Sequence, residues 1–183
     1  MKTTRVALDI GHTSLADQGA VSRDGLSEHA YWARFAPVIQ RKLEELGHRA
    51  RLFRREDYGA SVAMECAAVN EWQADAAVSL HLNSSDNSSA GGHELICLQG
   101  ALRGRQLAEC VDRRLDDLGC LRDRNIRTPY QGRGETWLSH TRAPAVIVEA
   151  GFLSNAEDTE VLKQQGEYMA ELIAMGIHDF LTI

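Results

Sequence analysis

The chain has 183 residues, 44% hydrophobic and 25% charged, enough length for one continuous core and too even a composition for collagen, disorder or low complexity. Its 20 Lys and Arg against 26 Asp and Glu leave a net charge of −6, which argues against a nucleic-acid binder, since phosphate neutralisation needs a basic footprint. Cys66, Cys97, Cys110 and Cys120 form no CxxC pair, so buried reduced thiols are expected rather than a thiolate metal site, and no run of ~18 apolar residues is present to insert in a membrane.

Val6 to Ile10 reads as a short buried strand, preceded only by Lys2 and Arg5 and ended by the Gly11 turn. Its apolar run Val6-Ala7-Leu8 stops at Asp9, too short for the core of an export leader, so synthesis in the cytoplasm is expected. A polar loop passes through Gly19 and Gly25. Ser27 is a suitable N-cap for a first helix, whose Trp32, Phe35, Ile39, Leu43 and Leu46 recur every three or four residues; Gly47 should end it.

A strand at Ala50–Phe53, a helix from about Ser61 to Trp72 and a strand at Ala76–His81 continue a βαβαβ rhythm that predicts a parallel sheet. Asn83 to Gly92 is loop, Glu94–Leu98 a strand, and Ala101 to Leu118 a helix. Leu121 to Thr136 has no stable period and reads as loop with one edge strand; its Arg122, Arg124, Arg127 and Arg133 form a local basic stretch, read as solvated. Ala145–Val148 is the next strand, and Ala156 to Phe180 a final helix that Asn155 would cap. The predicted fold class is therefore α/β, one domain spanning 1–183, with a mixed, mainly parallel sheet flanked by helices on both faces.

In such a sheet the ligand crevice lies beyond the carboxyl ends of the strands. His12 follows the first strand, His81 closes the third, Glu28 heads the first helix and Glu149 closes the strand Ala145–Val148, so all four are expected at one edge. Two imidazoles and one carboxylate are a ligand set used by catalytic zinc, which keeps a fourth position for water, and a carboxylate outside the ligand set, here Glu149, suits proton transfer. Taken singly, each residue has an ordinary alternative: a packed or solvent-facing His, a favourable charge at a helix start for Glu28, or half of an ion pair with a nearby Arg for Glu149. Pattern alone does not decide between them. His29 lies about 100° around the helix from Glu28 and reads as a surface or supporting residue, and His48, His93 and His178 have no supporting pattern.

Four segments in order resemble the zinc-dependent N-acetylmuramoyl-L-alanine amidase catalytic domain, the type 3 amidase family: LDIGHT at Leu8 to Thr13, Gly19-Ala20 with Ser27-Glu28, SLHLN at Ser79 to Asn83, and PAVIVEAGFLSN at Pro144 to Asn155. The resemblance spans about residues 5 to 175. It implies Zn2+ held by His12, Glu28 and His81, Glu149 as catalytic carboxylate, and cleavage of the amide between the lactyl group of N-acetylmuramic acid and L-alanine of the peptidoglycan stem peptide. Asn83 and Glu94 lie in matching segments as possible substrate or supporting residues, and His140 or Asn83 would be the side chain nearest the developing oxyanion. Two departures, Ile10 where the family commonly has proline and Thr13 where it commonly has glycine, predict a differently shaped first loop. No long insertion separates His81 from Glu149, so the site should be constitutively open.

Other readings of the same residues are a zinc carboxypeptidase, with Arg127 or Arg133 clamping a terminal carboxylate, and a non-catalytic wall-binding module. A monomer is the default. The expected partner is peptidoglycan or a muropeptide, reached in the wall or periplasm as an autolysin or, after membrane lesion, as a phage endolysin.

Overall fold

In the computed structural model, which describes residues 3–183 except 131 and 133, six strands form one sheet in the order β2-β1-β3-β6-β4-β5. They are β1 (Arg5–Ile10), β2 (Arg49–Arg54), β3 (Ala76–Asn83), β4 (His93–Ile96), β5 (Asp123–Arg127) and β6 (Ala145–Phe152). Neighbours β2, β1, β3 and β6 are parallel, whereas β4 runs antiparallel to β6 and parallel to β5. The helices are α1 (Glu28–Glu45), α2 (Val62–Glu71), α3 (Leu102–Asp116), α4 (Glu135–His140) and α5 (Ala156–Leu181). The expected α/β class, mixed sheet and helices on both faces are those observed.

Strand side chains alternate between faces, and the two faces bury different things. Val6, Leu8 and Ile10, Val78, Leu80 and Leu82, and Val146 and Val148 pack with α1, α3 and α5 in the larger core. The other face carries Ala7, Ala77, Ala145 and Ile147 under Cys66 and Val69 of α2 and Trp137 and Leu138 of α4. Among the described residues that second face is covered mainly by these two short helices, so towards the carboxyl ends of the strands its polar residues can reach a cleft.

The helix boundaries follow local chemistry. Ser27 Oγ accepts from the Ala30 amide, and Asn155 Oδ1 accepts from the amides of Glu157 and Asp158, both as the sequence predicts. Asp158 Oδ2 in turn accepts from Phe152 N and Gly92 N at 2.8 Å each, fixing the turn after β6 to the loop before β4.

Three expectations are corrected. Glu149 does not close its strand: β6 runs on to Phe152 through an irregularity that takes the register from His81↔Glu149 to Asn83↔Phe152, and Leu153 N extends the pairing to Asn83 O. The unreadable stretch 121–136 supplies β5 but also leads into α4, a helix of six residues too short to declare a period. Cys66, Cys97 and Cys110 are buried as expected, but Cys120 is exposed. Arg133, in the basic stretch, lies outside the described residues.

Helices α3 and α5 pack closely because Gly176 has no Cβ: one built there would stand 2.5 Å from Val111 Cα and 2.9 Å from the Cys110 carbonyl oxygen. Gly176→Ala gains helix propensity of ~1 kcal/mol but must push a backbone aside, and overpacking of this kind costs about 1–3 kcal/mol. Urea denaturation should therefore give a variant no more stable than the parent and up to ~2 kcal/mol less stable; a clear gain in stability would contradict the close packing.

Candidate metal centre

The carboxylate of Glu28 is the hub of the site. Its backbone amide donates to Ala20 O at 2.9 Å, seating the head of α1 against the first loop. One carboxylate oxygen, Oε1, lies 2.8 Å from His81 Nδ1 and accepts from Leu82 N at 3.0 Å; the other, Oε2, accepts from Ala20 N at 2.9 Å and lies 3.3 Å from His12 Nε2. Side-chain atoms of His12, Glu28 and His81 that could hold a metal all lie within 4.8 Å of one another.

The surroundings suit a cation. A Cβ at Gly19 would fall 2.4 Å from Glu28 Oε2 and 2.7 Å from His12 Cδ2, and one at Gly11 would fall 2.4 Å from His81 Cε1, so glycine at both positions leaves room for the three side chains to converge. His12 takes a left-handed backbone conformation, φ 67°, which costs a residue with a Cβ about 1 kcal/mol and turns its ring towards Glu28. Its other nitrogen, Nδ1, lies 2.9 Å from Asp17 Oδ2, the arrangement by which a carboxylate fixes the tautomer of a metal-binding imidazole. Thr13, one of the two departures, is buried and closes this loop: its amide donates to Asp17 O at 2.7 Å and its hydroxyl accepts from Asp17 N at 2.9 Å.

Electrostatics follow from this sharing of one carboxylate. The hydrogen bond to Glu28 raises the His12 pKa from 6.5 to about 9 against the opposing effect of burial. Burial pushes the Glu28 carboxyl up, but the hydrogen bonds from His12 and His81 outweigh it and hold it well below the ordinary carboxylate range. For His81 burial lowers the pKa, and the Glu28 hydrogen bond and charge raise it to a net increase.

Glu149 occupies the next strand. It is the register partner of His81 on one side and of Glu94 on the other, so β3, β6 and β4 present His81, Glu149 and Glu94 in one row. Asn83 Nδ2 donates to Glu94 Oε1 at 2.8 Å, and the guanidinium Nε atoms of Arg124 and Arg127 lie 3.0 and 3.2 Å from Glu94 Oε2. These two members of the basic stretch are thus held by a carboxylate, not merely solvated. A cleft of about 520 Å³ contains His12, Glu28, His81, Asn83 and Glu149, with Thr136 and Trp137 of α4 on its wall.

One expected site residue falls elsewhere, and the other histidines take ordinary structural places. His140 does not line the cleft: its Nδ1 turns back on the last turn of α4, 3.1 Å from Thr136 O and 3.0 Å from Ser139 Oγ. His48 and His178 pair with each other at 2.9 Å, and His29, buried, has Glu56 as a neighbour at 3.9 Å.

Below the row lies a buried group that no spacing in the sequence announced. Ser79 Oγ donates to Asp9 Oδ2, and Arg55 reaches both Asp9 and Glu65, at 3.7 and 3.5 Å. Burial, together with the charge of Asp9, pushes the Glu65 carboxyl up to about 9. The one signal was Asp9 itself, an acid inside a predicted buried strand; Asp17 and Arg55 sit in loop and turn segments where such residues are ordinary.

An α/β sheet with a His-Glu-His cluster and a neighbouring carboxylate at the carboxyl ends of its strands defines a hydrolase-like domain able to hold a divalent metal. The chain belongs to the N-acetylmuramoyl-L-alanine amidase family, whose model matches residues 6–179. It is 31% identical over 181 residues to a probable cell wall amidase, LytH, of Staphylococcus aureus, covering 97% of this chain and 57% of that one, so it spans a little over half the length of that relative. Among solved structures it resembles the amidase AmiC2 of Nostoc punctiforme, with TM-score 0.88, 28% identity and 98% of each chain covered. It also resembles the catalytic domain of the amidase CwlV from Bacillus (Paenibacillus) polymyxa, with TM-score 0.81, 26% identity, and 98% of this chain and 97% of that one covered.

The His12 shift has a defined sign in the metal-free protein. A histidine raised from 6.5 to about 9 contributes stability that is complete below about 6.5 and lost as pH climbs through about 9. Glu65 acts in the same direction, whereas Glu28 contributes above its ordinary value near 4.5 and loses its contribution on acidification. A metal bound by this cluster would have to displace the His12 proton, so the melting temperature of metal-free protein should fall between pH 6.5 and 9 and any rise produced by added Zn2+ should grow over the same interval. A Zn2+ effect that shrinks with increasing pH would contradict this.

Proposed function

We propose that the chain hydrolyses the amide between the lactyl group of N-acetylmuramic acid and L-alanine of the peptidoglycan stem peptide, with Zn2+ held by His12, Glu28 and His81 and with Glu149 carrying the proton. The observation that carries this reading is the register pairing of His81 with Glu149 beside the His-Glu-His cluster, which sets the two backbones ~4.8 Å apart with both side chains in one cleft. Family membership supplies the bond to be cut.

When bound, the zinc ion supplies Lewis acidity, polarising the scissile carbonyl and lowering the pKa of water from ~15.7 to ~7. The protein residues do the rest. Asp17 orients the His12 ring, and the amides of Ala20 and Leu82 hold the Glu28 carboxylate so that both imidazoles face one point. Glu149 takes a proton from the attacking water and returns it to the departing alanine nitrogen. Asn83, which lines the cleft two residues beyond His81 and is held to Glu94, is placed to donate to the substrate carbonyl.

The roles separate by mutation. Glu149→Gln should keep stoichiometric zinc and lose ~10²-fold or more of turnover on cell-wall material, because a positioned proton carrier contributes about that much. His81→Ala should lower the zinc content by one equivalent in elemental analysis. Full activity in the first variant or full zinc in the second would refute the corresponding role.

A carboxypeptidase reading is less well supported, because of its two candidate clamps Arg127 is already engaged by Glu94 and Arg133 lies outside the described residues. Mass spectrometry of digested peptidoglycan decides: free stem peptides beginning with L-alanine are expected, whereas loss of C-terminal residues alone would favour the rival. Zinc-dependent release of any fragment speaks against a purely wall-binding module. We place the action at the cell wall, where the substrate is; no described helix is long and apolar enough to cross a membrane.

A further inference from the structure

We infer a second divalent-cation site, outside the cleft, formed by His93, Asp112 and Asp123 with Asp116 at its rim. The first three offer ligand atoms that all lie within 4.8 Å of one another. None of the four lines the cleft. His93 alternates with Glu94 along β4, so it faces the opposite side of the sheet, the side covered by α3.

The telling residue is His93. Its side chain is 1% exposed, and among the described residues neither ring nitrogen has a hydrogen-bond partner; Asp112 Oδ1, also buried, has none there either. A buried imidazole without partners is uncommon, since buried polar groups are nearly always satisfied. Nε2 nevertheless points at acids, 3.4 Å from Asp112 Oδ1 and 3.5 Å from Asp116 Oδ1. Those separations exceed the ~2.7–3.2 Å of an N–H···O bond. They match the ~3.3 Å between adjacent ligand atoms on a tetrahedral ion with bonds of ~2.0 Å.

Three elements deliver the donors. Asp112 and Asp116 stand four apart on one face of α3, and Asp123 opens β5 as the register partner of His93. Three carboxylates gathered around one imidazole repel each other without a cation. One imidazole among carboxylates selects Zn2+ or Mn2+ over Ca2+ and Mg2+, which take oxygen. Asp116 is 51% exposed and Asp123 is exposed, so an ion has a path in. Its effect would be structural, clasping α3 to the β4–β5 edge that carries Glu94, Arg124 and Arg127.

Zinc stoichiometry by elemental analysis after dialysis tests this, and the site stands whether or not the cleft holds zinc. The chain with His12→Ala and His81→Ala should retain one equivalent, and at a hundredfold excess of Zn2+ over Kd its melting temperature should rise by roughly 5–10 °C. Adding His93→Gln to that background should abolish both. In the otherwise unaltered chain, His93→Gln, or the milder surface change Asp123→Asn, should lower the zinc content by one equivalent. A folded cleft variant that binds no zinc, or single variants that keep the parental zinc content, would overturn the assignment and leave His93 as a buried ion-pair partner.

Discussion

The His12 and His81 rings, the first loop and the end of β3 are tied together through one buried carboxylate. Glu28 is 2% exposed, and its oxygens meet the His12 and His81 rings and the backbone amides of Ala20 and Leu82. A carboxylate removed from water costs several kcal/mol unless its lone pairs are satisfied, so this anion is tolerable only when loop 11–20, the head of α1 and β3 arrive together. The same requirement places the two imidazoles around it. Site assembly and local folding are therefore a single event.

The sheet divides the labour between its faces. The side under α1, α3 and α5 is apolar from Val6 to Val148 and supplies the larger core. The side under α2 and α4 begins with small residues, Ala7, Ala77 and Ala145, and turns polar towards the carboxyl ends with Asp9, Ser79, His81 and Glu149. Small side chains let short helices sit close at one end, and the space beyond those helices becomes the cleft. The antiparallel β4 completes it, because reversing direction puts Glu94 opposite Glu149 and brings Arg124 and Arg127 from β5 into reach.

The loop after β1 shows how a departure from a familiar pattern can be absorbed. Thr13 exchanges hydrogen bonds with the Asp17 backbone, and Asp17 then braces His12, so a hydroxyl closes a turn around the ring. His12 keeps its left-handed conformation in that setting.

The sequence by itself determined the α/β class, most strand and helix positions, the caps at Ser27 and Asn155, and the residues His12, Glu28, His81 and Glu149 at a common edge. These follow from local rules, since apolar periodicity and capping chemistry act over a few residues, and the segment resemblance carried the rest. Only the tertiary structure decided that β6 continues past Glu149, that α4 exists and walls the cleft while His140 turns away, that Asp17 and Arg55 join the site, and that His93 meets Asp112 and Asp123 behind it. Those facts depend on which strands lie side by side and on what burial leaves unsatisfied, and neither quantity exists until distant segments have packed.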